Sequence, residues 1–96
     1  MCDVMIRTND YFDGKVKSLG FESDGKKTLG VMEPGEYTFD TSMHETMQVV
    51  SGTLTVRLPG SNEWKDYNAG DSFEIEAGKE FDLKVTVPTG YLCSYA

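Results

Sequence analysis

A chain of 96 residues, 39% of them hydrophobic, holds enough apolar material for one core and too little for a second. Sixteen acidic against nine basic side chains leave a net charge of −7, which opposes non-specific attraction to nucleic acid and to anionic lipid. Cys2 and Cys93 stand far apart with no CxxC or CxxH spacing, so neither a disulfide framework nor a zinc motif is indicated, and reduced thiols in the cytoplasm fit best.

Residues 1–10 are polar and aperiodic, and they carry charge too early for a secretory signal. They read as a flexible N-terminal arm before a single domain over residues 11–96. Beyond the arm, short runs rich in β-branched and aromatic residues predict strands at Lys15–Phe21, Lys27–Met32, Gly35–Phe39, Thr46–Ser51, Thr53–Leu58, Asp71–Ile75, Phe81–Val87 and Tyr91–Tyr95. Turn signals separate them: Asp24-Gly25, Glu33-Pro34-Gly35, Ser51-Gly52, Pro59-Gly60, Ala69-Gly70, Ala77-Gly78 and Pro88-Thr89-Gly90. Leu54, Val56 and Leu58 alternate with Thr53, Thr55 and Arg57, and Phe81, Leu83, Val85 and Val87 alternate with Asp82, Lys84 and Thr86. This period of two gives each strand one apolar and one wet face. No apolar run approaches the roughly 20 residues of a membrane span. The chain is all-β, a small barrel or a jelly roll. A domain this small with an open sheet edge is expected to form a homodimer.

Two spaced patterns favour the jelly roll. Gly35, Glu45 and Gly52 in one stretch, then Gly70, Ala77-Gly78 and Phe81 in another, resemble the paired motifs of the cupin family. The resemblance implies a small cupin-type jelly-roll β-barrel. In that family the first motif carries an HxH pair and the second a third histidine. Here those positions fall on Phe39, Thr41 and Phe81. One carboxylate among aromatic neighbours supplies too few donors for a transition metal, so no metal site is expected. His44 adjoins Glu45 and points to the opposite side of an extended segment.

A second resemblance runs through the chain in collinear order: Tyr11-Phe12-Asp13-Gly14-Lys15-Val16-Lys17-Ser18, Leu29-Gly30-Val31-Met32, Gly35-Glu36-Tyr37-Thr38-Phe39, Glu45-Thr46-Met47, Ser51-Gly52, Trp64, Ala69-Gly70 and Tyr91-Leu92-Cys93-Ser94-Tyr95. Over about residues 9–95 these segments resemble the pyrimidine/purine nucleoside phosphorylase family. The resemblance implies a metal-independent enzyme of broad specificity in nucleotide salvage. Its substrates are purine and pyrimidine nucleosides with inorganic phosphate as co-substrate, and its products are a free base and a sugar 1-phosphate. No other cofactor is implied.

In a cupin-like barrel the residues in phase with Phe39, Glu45 and Phe81 face the cavity, which gives Tyr37, Phe39, Thr41, Glu45, Met47, Phe81, Leu83, Tyr91, Cys93 and Tyr95 as its lining. Phosphorolysis needs the base held, the sugar cation stabilised and phosphate bound beside C1′. Phe39, Phe81, Tyr91 and Tyr95, with the Thr41 hydroxyl, are the candidate substrate-binding residues, since every base offers a π-face to an aromatic ring. Glu45 is the candidate catalytic carboxylate, able to grip ribose hydroxyls and stabilise an oxocarbenium-like centre. Its alternative is a carboxylate bonded to the hairpin turn. Tyr37 is the second catalytic candidate. Lys15 and Lys17 are the phosphate candidates, ahead of Arg57 and Lys84, whose parity places them on a solvated face. Cys93 reads as a small buried hydrophobe rather than a nucleophile, because no activating base adjoins it. Trp64 reads as a cover for the barrel end or a dimer contact. Two further functions compete with phosphorolysis. One is a non-catalytic cupin that binds a small sugar or aromatic ligand. The other is a metal-dependent cupin isomerase or dioxygenase, against which the missing histidines count.

Overall fold

The computed structural model describes residues 6–96. Ten strands follow one another: β1 (Arg7–Tyr11), β2 (Val16–Glu22), β3 (Lys26–Met32), β4 (Gly35–Asp40), β5 (Glu45–Ser51), β6 (Thr53–Arg57), β7 (Trp64–Asn68), β8 (Ser72–Ile75), β9 (Glu80–Val85) and β10 (Thr89–Tyr95). They form two antiparallel sheets, one ordered β1-β2-β3-β10-β5-β8 and the other β4-β9-β6-β7. This is the expected all-β, cupin-type jelly-roll barrel, built from two facing sheets.

The alternation read from the sequence sets the core. Leu54 and Val56 of β6, Leu83 and Val85 of β9, Val49 of β5, Val16 of β2 and Met32 of β3 turn inward and are buried between the sheets. Each such side chain contributes about 1.5–3 kcal/mol by leaving water. The intervening residues stay outside. Arg57 forms an ion pair with Asp82, which also accepts a 2.7 Å bond from the Thr38 hydroxyl. These partners hold the Asp82 carboxyl below its ordinary range, the Arg57 bond being the largest cause. Trp64 lies on that outer face between the Arg57 and Lys84 cations, 5.3 and 4.2 Å from its ring centre. There it stacks on its own sheet rather than covering a barrel end.

Two strands had no signal in the sequence. β1 and β7 each lie at a sheet edge, and their burial patterns show why: no side chain of β1 is buried, and in β7 only Tyr67 is. A strand held by its ladder rather than by an apolar face carries no alternation to read. The expected arm over residues 1–10 is corrected accordingly. Residues 7–11 are paired with β2 from Arg7↔Gly20 to Tyr11↔Val16, while residues 1–5 of that arm lie outside the described residues. β9 also stops at Val85 instead of continuing to Val87, which is 46% exposed. Pro88 follows closely and has no N–H to offer a ladder.

The β5–β6 turn shows what a glycine permits. Gly52 has φ +91°, and a Cβ there would sit 2.4 Å from Oγ1 of Thr89. Fully buried Thr89 uses that oxygen to accept from the Thr53 N–H at 3.2 Å and to donate to a backbone carbonyl, which closes this end of the sandwich. The ladder between β10 and β5 shifts register between Gly90 and Tyr91. The shift precedes Tyr91, so Tyr91, Cys93 and Tyr95 keep a common inward phase opposite Val49, Met47 and Glu45.

Candidate active site

A cavity of about 470 Å³ opens between the sheets, near the size range of small-molecule sites. Its first wall is the six-stranded sheet, which supplies Ser18 from β2, Thr28 and Met32 from β3, Glu45 and Met47 from β5, and Tyr91, Cys93 and Tyr95 from β10. Its second wall is aromatic. Phe39 of β4 and Phe81 of β9 face each other across their ladder with ring centres 5.9 Å apart and planes at 27°. Thr38 and Asp40 complete that side.

The turn from β1 to β2 closes the rim with Tyr11 and Phe12. Phe12 and Asp13 both adopt the left-handed conformation, φ 54° and 58°, before Gly14 at 83°. A bulky residue in that region is strained by about 1–2 kcal/mol. The Phe12 ring offsets this by packing 4.9 Å from Tyr37 and 5.4 Å from Phe39, edge-on to the latter. The strain thus falls on a side chain that shapes the cavity mouth.

Glu45 is the half-buried carboxyl group of this site. The Cys93 thiol donates to its Oε1 at 3.5 Å. Burial is the largest influence and raises its pKa, against lowering by the Cys93 bond and by the Lys26 charge. Burial also pushes the Cys93 thiol and the Tyr91 phenol up to about 12 each, and raises Tyr95 further. Near neutral pH these three are therefore neutral hydrogen-bonding groups, and Glu45 is the one among them suited to carry charge. Lys26 contributes a cation nearby: its Nζ stands 4.9 Å from the centre of the Tyr95 ring. Among the described residues no group of three or more His, Cys, Asp or Glu could hold a metal ion.

The sequence model of the pyrimidine/purine nucleoside phosphorylase family matches residues 6–95. The chain belongs to that family. A pyrimidine/purine nucleoside phosphorylase of Pseudomonas putida strain W619 is 56% identical over 92 residues, which is 95% of this chain and 98% of the relative. The fold matches a solved protein of unknown function from Vibrio parahaemolyticus with TM-score 0.93 and 46% identity, over 96% of this chain and 99% of that one. An RmlC-like cupin from Shewanella frigidimarina shares the fold alone, with TM-score 0.74 at 16% identity over 97% of this chain and 83% of that one.

In this member of the phosphorylase family, the expected substrate residues Phe39, Phe81, Tyr91 and Tyr95 come together with Glu45 around one cavity. Other expected residues lie elsewhere, and their placement is corrected. Tyr37 is buried behind Phe12 and Phe39, and its hydroxyl donates to the Glu33 carbonyl at 2.6 Å, so it supports the wall without lining it. Thr41 is buried too, with Oγ1 donating to the Glu76 carbonyl at 2.7 Å and accepting from the Lys79 N–H at 3.1 Å. Lys15 and Lys17 are exposed and do not line the cavity, because β2 turns Val16 and Ser18 inward and Lys17 outward, beside Asp10 at 3.7 Å. Leu83 packs in the core. His44 bonds Glu74 at 2.9 Å on the outer side.

Several cavity residues escaped sequence reasoning: Tyr11 and Phe12 because they lie in a turn and an edge strand, and Ser18 and Thr28 because a hydroxyl in a strand carries no functional signal. Their parity with Val16 and Met32 is the sign that would have found the last two.

Proposed function

We propose that the chain is a broad-specificity nucleoside phosphorylase. It binds purine and pyrimidine nucleosides with inorganic phosphate in the cavity and uses no metal or other cofactor. A phosphate oxygen attacks C1′, the C1′–N bond breaks with its electron pair leaving on the base nitrogen, and the base takes up a proton as sugar 1-phosphate forms. The observation that carries this reading is the placement of the half-buried Glu45 carboxyl opposite the stacked Phe39 and Phe81 rings, in a chain of this family. A carboxylate in a partly dry site stabilises the oxocarbenium-like centre as charge develops at C1′. The rings accept any base by its π-face, which suits a broad substrate range. Metal independence is supported by the donor set, since the positions of the cupin histidines carry Phe39, Thr41 and Phe81.

For phosphate, Lys26 is the first choice because its Nζ lies 4.9 Å from the centre of the cavity-lining Tyr95 ring, and Lys15 and Lys17 are second choices; none of the three itself lines the cavity. In this reading the protein works in the cytoplasm as a homodimer, for which Leu29 and Val31, exposed together on the outer face of the six-stranded sheet, offer apolar surface. One observation favours a second reading, a cupin that holds a small sugar or aromatic ligand without turnover: among the described residues no lysine or arginine lines the cavity. Incubation with uridine, thymidine, inosine and adenosine, with and without phosphate and with EDTA present, separates the two. Free base that appears only with phosphate, and still appears with EDTA, is expected. If none of the four nucleosides is cleaved, the enzyme reading fails and ligand holding replaces it.

A further inference from the structure

The two walls of the cavity differ in chemistry. Ser18 on β2, Thr28 on β3, and Tyr91 and Tyr95 on β10 present four hydroxyl groups from adjoining strands, whereas Phe39 and Phe81 opposite them present only rings. Ser18 and Thr28 are buried, yet each keeps a polar partner: Ser18 Oγ accepts from Asn9 Nδ2 at 3.2 Å, and Thr28 Oγ1 lies 3.1 Å from the Tyr95 hydroxyl. Burying hydroxyls in a row is costly unless they are hydrogen-bonded, and each is both donor and acceptor, as a sugar hydroxyl is.

Gly30 explains how the row is completed. It sits in β3 directly between Ser18 of β2 and Tyr91 of β10, paired with both. Its backbone lies outside the left-handed region, so an alanine is conformationally allowed there, and only space requires glycine. A Cβ would stand 2.5 Å from both Cζ and Oη of Tyr91 and 2.7 Å from Cε1. The Tyr91 ring is 6% exposed and lines the cavity, so a Cβ at position 30 would push it off β3 and into that space. The absent side chain is the room in which the phenol lies across β3, with its hydroxyl over Gly30 and toward Ser18.

We propose that the Ser18–Thr28–Tyr91–Tyr95 wall is the pentose subsite, facing a base subsite at Phe39 and Phe81, and that Gly30 is the positioning residue that keeps Tyr91 in it. The assignment rests on the nucleoside reading above. It fixes the direction in which a nucleoside enters, with the sugar against the six-stranded sheet beside Glu45 and the base against the rings.

The test is phosphorolysis of uridine and its 2′-, 3′- and 5′-deoxy analogues by wild type, Thr28→Val, Tyr95→Phe, Tyr91→Phe and Gly30→Ala. Deleting one hydrogen-bonding partner of the pentose is expected to lower kcat/KM for uridine about tenfold. The same variant loses less than about threefold on the analogue that already lacks the matching sugar hydroxyl, because the two deletions remove one shared interaction. Exchanging uridine for inosine leaves the loss unchanged, since the base meets the other wall. Gly30→Ala is expected to reproduce the pattern of Tyr91→Phe, and Tyr91→Phe carries the test alone if Gly30→Ala does not fold. Equal losses on uridine and all three analogues overturn the assignment. Should the wild type release no uracil, the phosphorolysis reading fails on its own, and calorimetry with D-ribose judges the subsite: tighter binding by wild type than by Thr28→Val upholds it, and equal or absent binding overturns it.

Discussion

Replacing Tyr37 with phenylalanine tests whether a tyrosine near the cavity acts on substrate or holds the wall that does. The substitution removes one oxygen from a buried ring and leaves its packing against Phe12 and Phe39 intact. What is lost is the 2.6 Å bond to the Glu33 carbonyl. A neutral hydrogen bond contributes about 0.5–1.5 kcal/mol net. Glu33 is exposed, so its carbonyl regains water, and the expected cost is about 1 kcal/mol. For a domain of this size that lowers Tm by about 4–8 °C. Turnover is expected to persist, because burial and the nearby Glu33 carboxylate raise the phenol above its ordinary 10.0, and the phenol points away from the cavity. Thermal denaturation by circular dichroism at fixed protein concentration, paired with steady-state phosphorolysis of uridine, measures both quantities. An unmoved Tm with kcat reduced about tenfold or more would refute the structural role and return Tyr37 to the reacting groups.

Three other substitutions or treatments have defined outcomes. Thr41→Val removes the acceptor for the Lys79 N–H and the donor to the Glu76 carbonyl, so urea denaturation is expected to show a loss of about 1–3 kcal/mol, with KM for nucleosides unchanged. Glu45→Gln is expected to lower kcat/KM by about 10²–10³, and wild-type activity should fall on the acid side at a pH above the 4.5 of an ordinary glutamate. Stability moves the other way. Between 4.5 and the raised value the folded state binds the extra proton, so wild-type stability declines as pH rises through that window. Glutamine does not titrate, hence the variant gains on wild type toward neutral pH and the gain vanishes below 4.5; chemical denaturation at both ends of the window reads this. Cys93, held up to about 12, should resist iodoacetamide at pH 8 in the native protein and react once unfolded, as followed by mass spectrometry of its peptide.

The strands with an apolar face were legible in the sequence because burial imposes a period of two, as in Leu54 and Val56 of β6 or Phe81, Leu83 and Val85 of β9. The same phase brought Phe39, Glu45, Phe81, Tyr91, Cys93 and Tyr95 to one cavity. Parity failed as a guide at Tyr37, Thr41 and Leu83 for a single reason. A phase says that a residue points between the sheets, and both the packed core and the open cavity lie there. Which of the two a residue meets depends on its distance along the barrel axis, and that is set by ladders between segments far apart in sequence, such as β4 with β9 and β10 with β5.

The amino-acid sequence by itself determined the all-β architecture, its inward faces, the presence of Phe39, Thr41 and Phe81 where the cupin motifs carry histidine, and the membership of a nucleoside phosphorylase family. These are properties of residue type and local period, which survive without knowledge of partners. Only the tertiary structure decided that β1 and β7 exist as edge strands, that Tyr37 and Thr41 spend their hydroxyls on backbone carbonyls, and that Lys15 and Lys17 stand outside while Lys26 stands beside Tyr95. It alone decided that Gly30 leaves the space Tyr91 fills. Each of these is fixed by what lies across a ladder or a cavity, and the neighbour involved is supplied by a strand that no local window of the chain contains.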